Sequence, residues 1–242
     1  MTSPLVIFDL DGTLIHTAPD LMVSLNHVLG LNGLSPVAFE DMTWLVGQGA
    51  KAMIEKAWAH HDHPSSPEQL ETAFDAFLVH YAAEMPGASA PYPGLLAALD
   101  RLKAAGMKLA VCTNKTEALA RRLLDALQLT DRFAAITGGD TFAVKKPHGD
   151  HILGTIRMAG GDPRSTVMIG DSVNDILAAQ NAAVPSIAVP FGYSDIAVAN
   201  FNPDIIIEHF DELDAGLVEK LIAQGNRRAE AGAPATTSPS AA

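Results

Sequence analysis

The feature that most restricts this chain is a change of rhythm near residue 91. After Pro91-Tyr92-Pro93-Gly94, short apolar runs alternate with helical stretches to the end of the ordered pattern. The runs are Leu109 to Cys112, Ala134 to Ile136, Thr166 to Ile169, Ser186 to Val189 and Ile205 to Ile207. The helical stretches are Leu95 to Ala105, Glu117 to Leu127, Ile152 to Met158, Asp175 to Ala182 and Leu213 to Ala223. Strands that alternate with helices mean βαβ units and a parallel sheet. A sixth run, Leu5 to Phe8, stands apart near the N-terminus and reads as a buried strand. Between it and the rest, from Thr17 to about Ala90, the apolar spacing is helical and no strand is expected. Thr17 is expected to cap the first helix, with Pro19 in its first turn and Asp20 at its positive end. Leu21, Leu25, Val28 and Leu29 form one stripe, Met53, Ile54 and Ala57 a second, and Phe74, Phe77, Leu78 and Tyr81 a third. The simplest architecture is an α/β core with a helical insert after its first strand. Gly225 is expected to end the last helix, and the residues beyond it are too poor in apolar side chains to order themselves.

Composition narrows the function. The 242 residues carry a formal net charge of −12, and no Lys/Arg block offsets it. Sequence-independent nucleic-acid binding needs a basic face, so no nucleic-acid partner is expected. There is no run long and apolar enough for a membrane span and no basic, then apolar, leader at the N-terminus. The single cysteine, Cys112, lies in an apolar strand and is expected to be a buried, inert thiol. Together these features predict a cytoplasmic protein.

In an open parallel sheet, ligands bind beyond the carboxyl ends of the strands. Asp9 and Asp11 follow the first run, and Thr113, Asn114 and Lys115 the second. Lys145 and Lys146 lie in the loop after the third, and Gly170, Asp171, Ser172 and Asp175 follow the fourth. The fifth strand end, Pro190-Phe191-Gly192, offers nothing comparable. Four aspartates brought to one cleft need neutralising, and a hard divalent cation with oxygen ligands, Mg²⁺, suits them. With a lysine, a hydroxyl and backbone amides beside the cation, a phosphate group fits, and the chemistry suited to such parts is phosphoryl transfer.

Asp9-Leu10-Asp11-Gly12-Thr13-Leu14, Thr113-Asn114, Lys146-Pro147 and Gly170-Asp171-Ser172-Val173-Asn174-Asp175 resemble, in order and spacing, the four motifs of the haloacid dehalogenase superfamily of phosphatases. The likeness spans roughly residues 5 to 215. It implies a Rossmann-like, doubly wound parallel-sheet core with an inserted all-helical cap domain. The core would be residues 1–15 and 92–225, the cap residues 16–91, and an unstructured tail residues 226–242. It implies that Asp9 is the nucleophile and a metal ligand. Asp11 would be the general acid and then the base, a role asking for a pKa raised by neighbouring anions, and would touch the metal through its carbonyl. Thr113 and Asn114 would bind the phosphoryl group, and Lys146 would balance charge. Asp171 would ligate the metal directly and Asp175 less directly.

Within the superfamily the chain is similar to phosphoglycolate phosphatases, through Thr17-Ala18-Pro19-Asp20-Leu21 and Val46-Gly47-Gln48-Gly49-Ala50. Gly47, Gln48 and Gly49 would then approach a small anionic phosphate ester with their backbone amides. Two positions depart from that pattern. His16 stands where an aspartate is usual, at the entrance to the cap, and Gly149 stands where a second proline is usual, which is expected to loosen the lysine loop. A phosphosugar mutase on the same scaffold is the alternative enzyme. A non-enzymatic binding module would lack a nucleophile or a metal ligand, and neither is missing. His60, His61 and His63 read as a surface loop, Lys145 as a solvated lysine, and Trp44 and Trp58 as cap core. The sequence does not set the oligomeric state.

Overall fold

The computed structural model describes residues 3–39, 49–63, 65–194 and 196–232. Six parallel strands form one sheet. They are β1 (Leu5–Phe8), β4 (Lys108–Cys112), β5 (Ala135–Thr137), β6 (Thr166–Gly170), β7 (Ser186–Ala188) and β8 (Ile205–Ile206). Their spatial order is β5-β4-β1-β6-β7-β8, so the first strand in sequence lies in the middle. Leu5 pairs in register with Lys108 on one side and Thr166 on the other.

Period-two alternation explains how this sheet buries both faces. Val6 and Phe8 point into a core that includes Leu99 and Leu102 of α4 (Leu95–Ala104), Leu123 of α5 (Glu117–Ala126) and Val218 and Leu221 of α8 (Ala215–Glu230). Leu5 and Ile7 point the other way, among Ile152 and Ile156 of α6 (Gly149–Met158) and Ala178 and Ala179 of α7 (Val173–Asn181). All four β1 side chains are fully buried, each contributing about 1.5–3 kcal/mol of apolar transfer. Cys112 is buried in the second of these cores.

The insert is helical. It contains α1 (Ala18–Leu31), α2 (Ala50–His60) and α3 (Pro67–Glu84), which share a separate core of Leu25, Val28, Ile54, Trp58, Phe77 and Tyr81, among others. Ser66 and Gln69 form a capping box at the start of α3. Trp58 is buried as expected, whereas Trp44 lies outside the described residues.

Four local expectations are corrected. The chain enters and leaves the insert through a two-stranded antiparallel ribbon, β2 (Ile15–His16) with β3 (Ala90–Pro91). Two residues per strand are too few for a period to register in sequence. Thr17 occupies the N-cap position of α1 without a side-chain capping bond. Asp20 instead ties the two connections together: its carboxylate accepts from the Ala88 and Ser89 amides at 2.8 and 2.9 Å and from Ser89 Oγ at 2.5 Å.

The last helix does not stop at Gly225, and residues 226–230 are helical rather than unstructured. A Cβ on Gly225 would come within 2.8 Å of the Pro185 ring, so this glycine permits close packing and does not end the helix. Asn226 donates to the Arg164 carbonyl at 3.0 Å, and Arg228 pairs with Asp204. Gly149 likewise tightens the structure where loosening was expected. A Cβ there would lie 2.6 Å from the Asn181 carbonyl carbon, and Asn181 donates to the Pro147 carbonyl at 2.9 Å. No helix among the described residues is long and apolar enough to cross a membrane.

Candidate active site

The carboxyl ends of β1, β4 and β6 open into one cavity of about 150 Å³, which is roofed by the helical insert. Asp9 follows β1 directly, and its amide still pairs with the Ile169 carbonyl at 2.9 Å. The chain then turns sharply, with Gly12 at φ +83° and Leu14 and Ile15 both donating to the Leu10 carbonyl. This turn sends the Asp11 side chain to the cavity wall and brings Thr13 back toward β6.

Three carboxylates meet below the cavity. One oxygen each from Asp9, Asp171 and Asp175 lies within 4.8 Å of the others, and all three residues are buried. Among the described residues no other group of acidic, histidine or cysteine side chains gathers closely enough to hold a metal, and the histidines at 60, 61 and 63 form none. Lys146 is 2 % exposed and reaches Asp9 Oδ1 at 2.7 Å and Asp175 Oδ1 at 2.6 Å. Lys145 is exposed. The other oxygen of Asp175 accepts from the Ser172 amide and hydroxyl at 3.0 and 2.6 Å, closing the capping box that begins α7.

One ammonium cannot neutralise three buried carboxylates. Burial, with repulsion from Asp175 and Asp11 and against the pull of Lys146, pushes the Asp9 carboxyl up to about 7. Burial and the charges of Asp175 and Asp9 hold Asp171 well above the usual carboxylate range, despite donors from Tyr193 and Thr13. Hard oxygen donors short of positive charge fit a divalent cation. The surrounding backbone packs closely on the Asp171 side chain. A Cβ at Gly192 would lie 2.0 Å from Asp171 Oδ2, and one at Gly12 would lie 2.4 Å from it.

Asp11 stands apart from this cluster. Both its oxygens are held by Lys115 Nζ, at 3.0 and 2.9 Å. Asp9 is a neighbouring anion, as expected, but Asp11 also has a cationic partner in Lys115, to which the sequence assigns no role. Burial works to lower the Lys115 pKa, but Asp11 and Tyr81 beside it hold it above the usual lysine range. Thr113 is buried at the cavity floor, and its hydroxyl accepts from the Lys115 amide at 3.2 Å. Asn114 also lines the cavity, but one of its amide hydrogens goes to the Lys146 carbonyl at 2.9 Å, fixing the lysine loop.

The segment after β7, expected to contribute nothing, supplies Tyr193. Its amide donates to Asp171 Oδ2 at 2.8 Å. Its hydroxyl accepts from the Ala18 amide at 3.0 Å and shares a 2.8 Å hydrogen bond with His16 Nδ1. His16 therefore lies at the ribbon, in contact with the residue that braces Asp171. Burial lowers its pKa, against the charge of Asp20. Gly47 and Gln48 lie outside the described residues. Gly49 precedes α2 at φ +96°, and Gly49, Ala50 and Met53 line the cavity. Phe74 and Leu78, which form part of an apolar helical stripe in the sequence and pack against the insert's core, also face it.

Comparison with known proteins agrees with this geometry. Residues 6–189 match the family described as haloacid dehalogenase-like hydrolase. The phosphoglycolate phosphatase of Agrobacterium fabrum is 55% identical over 223 residues, which cover 92% of this chain and 96% of that protein. That of Caulobacter vibrioides is 43% identical over 205 residues, covering 85% and 86%. Among solved structures, a protein from Haemophilus somnus described as a predicted phosphoglycolate phosphatase superposes with a TM-score of 0.80 at 28% identity, covering 87% of this chain and 96% of that one. CbbY from Rhodobacter sphaeroides, solved in complex with phosphate, gives a TM-score of 0.77 at 25% identity over 90% of this chain and all of that one.

Proposed function

This chain belongs to the haloacid dehalogenase-like hydrolases and is a phosphatase, and we propose that it splits 2-phosphoglycolate into glycolate and phosphate with Mg²⁺ as its cation. The observation that carries the reaction is the placement of Asp9. It ends the central strand, faces the cavity and sits among Lys146, Asp171 and Asp175. The substrate rests on the similarity to phosphatases named for it. The same reading takes residues 16–91 as a cap over the cavity, residues 1–15 and 92–230 as the core, and the cytoplasm as the location. It takes Gly47, Gln48 and Gly49 as part of the substrate site.

In this reading one Asp9 oxygen attacks phosphorus, and the bond from phosphorus to the glycolate oxygen breaks. Asp11, freed from Lys115 and protonated from solvent, gives that proton to the oxygen as it leaves. Glycolate departs, and the phosphoryl group stays on Asp9. Asp11, now a carboxylate, takes a proton from water. The water oxygen attacks phosphorus, releasing phosphate and restoring Asp9. Thr113 and the amides after Asp9 donate to the phosphoryl oxygens, and Lys146 offsets charge on Asp9 and phosphate. Asp9, Asp171 and Asp175 would hold Mg²⁺, which supplies positive charge at the phosphoryl oxygens. The direct assay is phosphate release from 2-phosphoglycolate and a panel of other small esters, with Mg²⁺ and with chelator. Selective, Mg²⁺-dependent release supports the reading. Equal or faster release from a different ester moves the substrate, and phosphoryl return to a sugar would make the protein a mutase.

Two predictions follow from the carboxylate cluster. Asp9 has a folded pKa of about 7 against an ordinary 3.8. Folding therefore takes up protons, and the metal-free protein loses stability as pH rises through that interval. A cation must displace those protons. Mg²⁺ should then raise the melting temperature more at pH 8 than at pH 5.5. A gain as large at pH 5.5 would place the cation elsewhere.

The second prediction concerns Gly192→Ala. Its methyl would meet Asp171 at 2.0 Å, so the carboxylate must move. The Mg²⁺ concentration giving half-maximal activity should rise about 10- to 100-fold. An unchanged Mg²⁺ requirement would show that Asp171 does not hold the cation.

A further inference from the structure

Among the described residues that line the cavity, two carry an ammonium group, Lys146 and Lys115, and they are engaged differently. Lys146 is fixed between Asp9 and Asp175, at the end where phosphorus must sit. Lys115 is committed to Asp11 alone among the acids and lies 4.6 Å from the centre of the Tyr81 ring, which belongs to the helical insert. The wall beyond it is apolar, with Leu21, Met53, Phe74, Leu78 and Leu119. The insert's Lys51 pairs with Glu71 and does not line the cavity, and residues 40–48 contain no lysine or arginine.

2-Phosphoglycolate has two anionic ends. Its carboxylate carbon is one methylene from the ester oxygen that Asp11 must protonate. A substrate within reach of Asp11 thus brings its carboxylate to the ammonium that now holds Asp11. We propose that Lys115 is the specificity-determining residue of the site, exchanging the Asp11 carboxylate for that of the substrate. The exchange rests on the phosphatase reading above.

The exchange accounts for selection as well as binding. With a carboxylate substrate, Lys115 loses one anionic partner and gains another, and Asp11, no longer held as a carboxylate by an ammonium, takes up a proton from solvent and turns to the leaving oxygen. With an ester that lacks a carboxylate, freeing Asp11 strands a buried ammonium, which is costly. A site that must pair a buried polar group discriminates strongly against an analogue lacking the partner.

The test compares 2-phosphoglycolate with ethyl phosphate, which lacks the carboxylate. In Lys115→Met, kcat/KM for 2-phosphoglycolate should fall about 10- to 100-fold, the worth of one charge-assisted hydrogen bond. That for ethyl phosphate should hold or rise, so the preference collapses. Equal losses on both esters would overturn the proposal and leave Lys115 as a residue that only positions Asp11. Binding to Asp11→Asn gives a second readout that does not depend on how Lys115→Met folds. With Lys115 relieved of its internal partner, calorimetry in chelator, where wild type does not turn over, should show 2-phosphoglycolate gaining more affinity than ethyl phosphate relative to wild type. An equal gain for both, or no gain, would overturn the exchange. A wild type that does not prefer 2-phosphoglycolate over ethyl phosphate would remove the substrate reading itself, before any variant is made.

Discussion

Asp9→Asn should abolish turnover while leaving the fold intact. The amide is nearly the size of the carboxylate, so packing around β1 is kept, but its oxygen is a far weaker nucleophile toward phosphorus. It also removes one negative charge from a group of three buried carboxylates served by one lysine. The variant should therefore melt no lower than wild type without metal. Its kcat should fall by at least about 10⁴-fold, the scale seen when a nucleophile is removed. Single-turnover quench with labelled ester should show no phosphorylated protein. Residual activity within tenfold of wild type would mean that another group attacks phosphorus.

Lys146→Met should act on stability as much as on rate. Lys146 Nζ lies 2.7 Å from Asp9 and 2.6 Å from Asp175, and its side chain is 2 % exposed. Methionine fills similar volume, so the loss is chiefly electrostatic. Removing one partner of a buried ion pair costs about 3–5 kcal/mol, because the remaining charges stay buried. For a chain of this size that is a fall on the order of 10 °C in melting temperature. Mg²⁺ should recover part of the stability and little of the rate. A variant as stable as wild type without metal would mean that the carboxylates take up protons there and need no counter-charge.

The site was readable in the sequence where a residue directly follows a strand. Asp9 and Asp171 continue β1 and β6, and the position of a strand end in a parallel sheet fixes where its next side chain goes. Lys146 needed the motif set to single it out from Lys145, because both lie in a loop. Lys115 was visible beside Thr113, but its direction is set by Asp11, 104 residues away. No local period carries such a contact. Tyr193 escaped for the same reason: it lies in a loop whose path is decided by packing on Asp171 and on the start of α1.

Glycines misled in a consistent way. Gly149 and Gly225 were read for backbone freedom, yet both serve by having no side chain where two segments touch. Phe74 and Leu78 pack against the insert's core and also line the cavity, a double use that an apolar stripe in sequence does not reveal.

The position of β1 bears on how the chain is made. Synthesis delivers this strand first, yet its two edges are claimed by residues 108–111 and 166–169. At about 5–20 residues per second, a newly emerged Leu-Val-Ile-Phe segment waits several seconds for its first partner and longer for its second. During that interval the helical insert already has most of its core residues, since its buried cluster draws on residues 18–81 and otherwise on Tyr193. The nascent chain therefore carries an unpaired, wholly apolar strand well ahead of its partners, the kind of segment that chaperones bind and that aggregates when synthesis stalls. Truncation between the insert and β6 should give insoluble product, however mild the conditions.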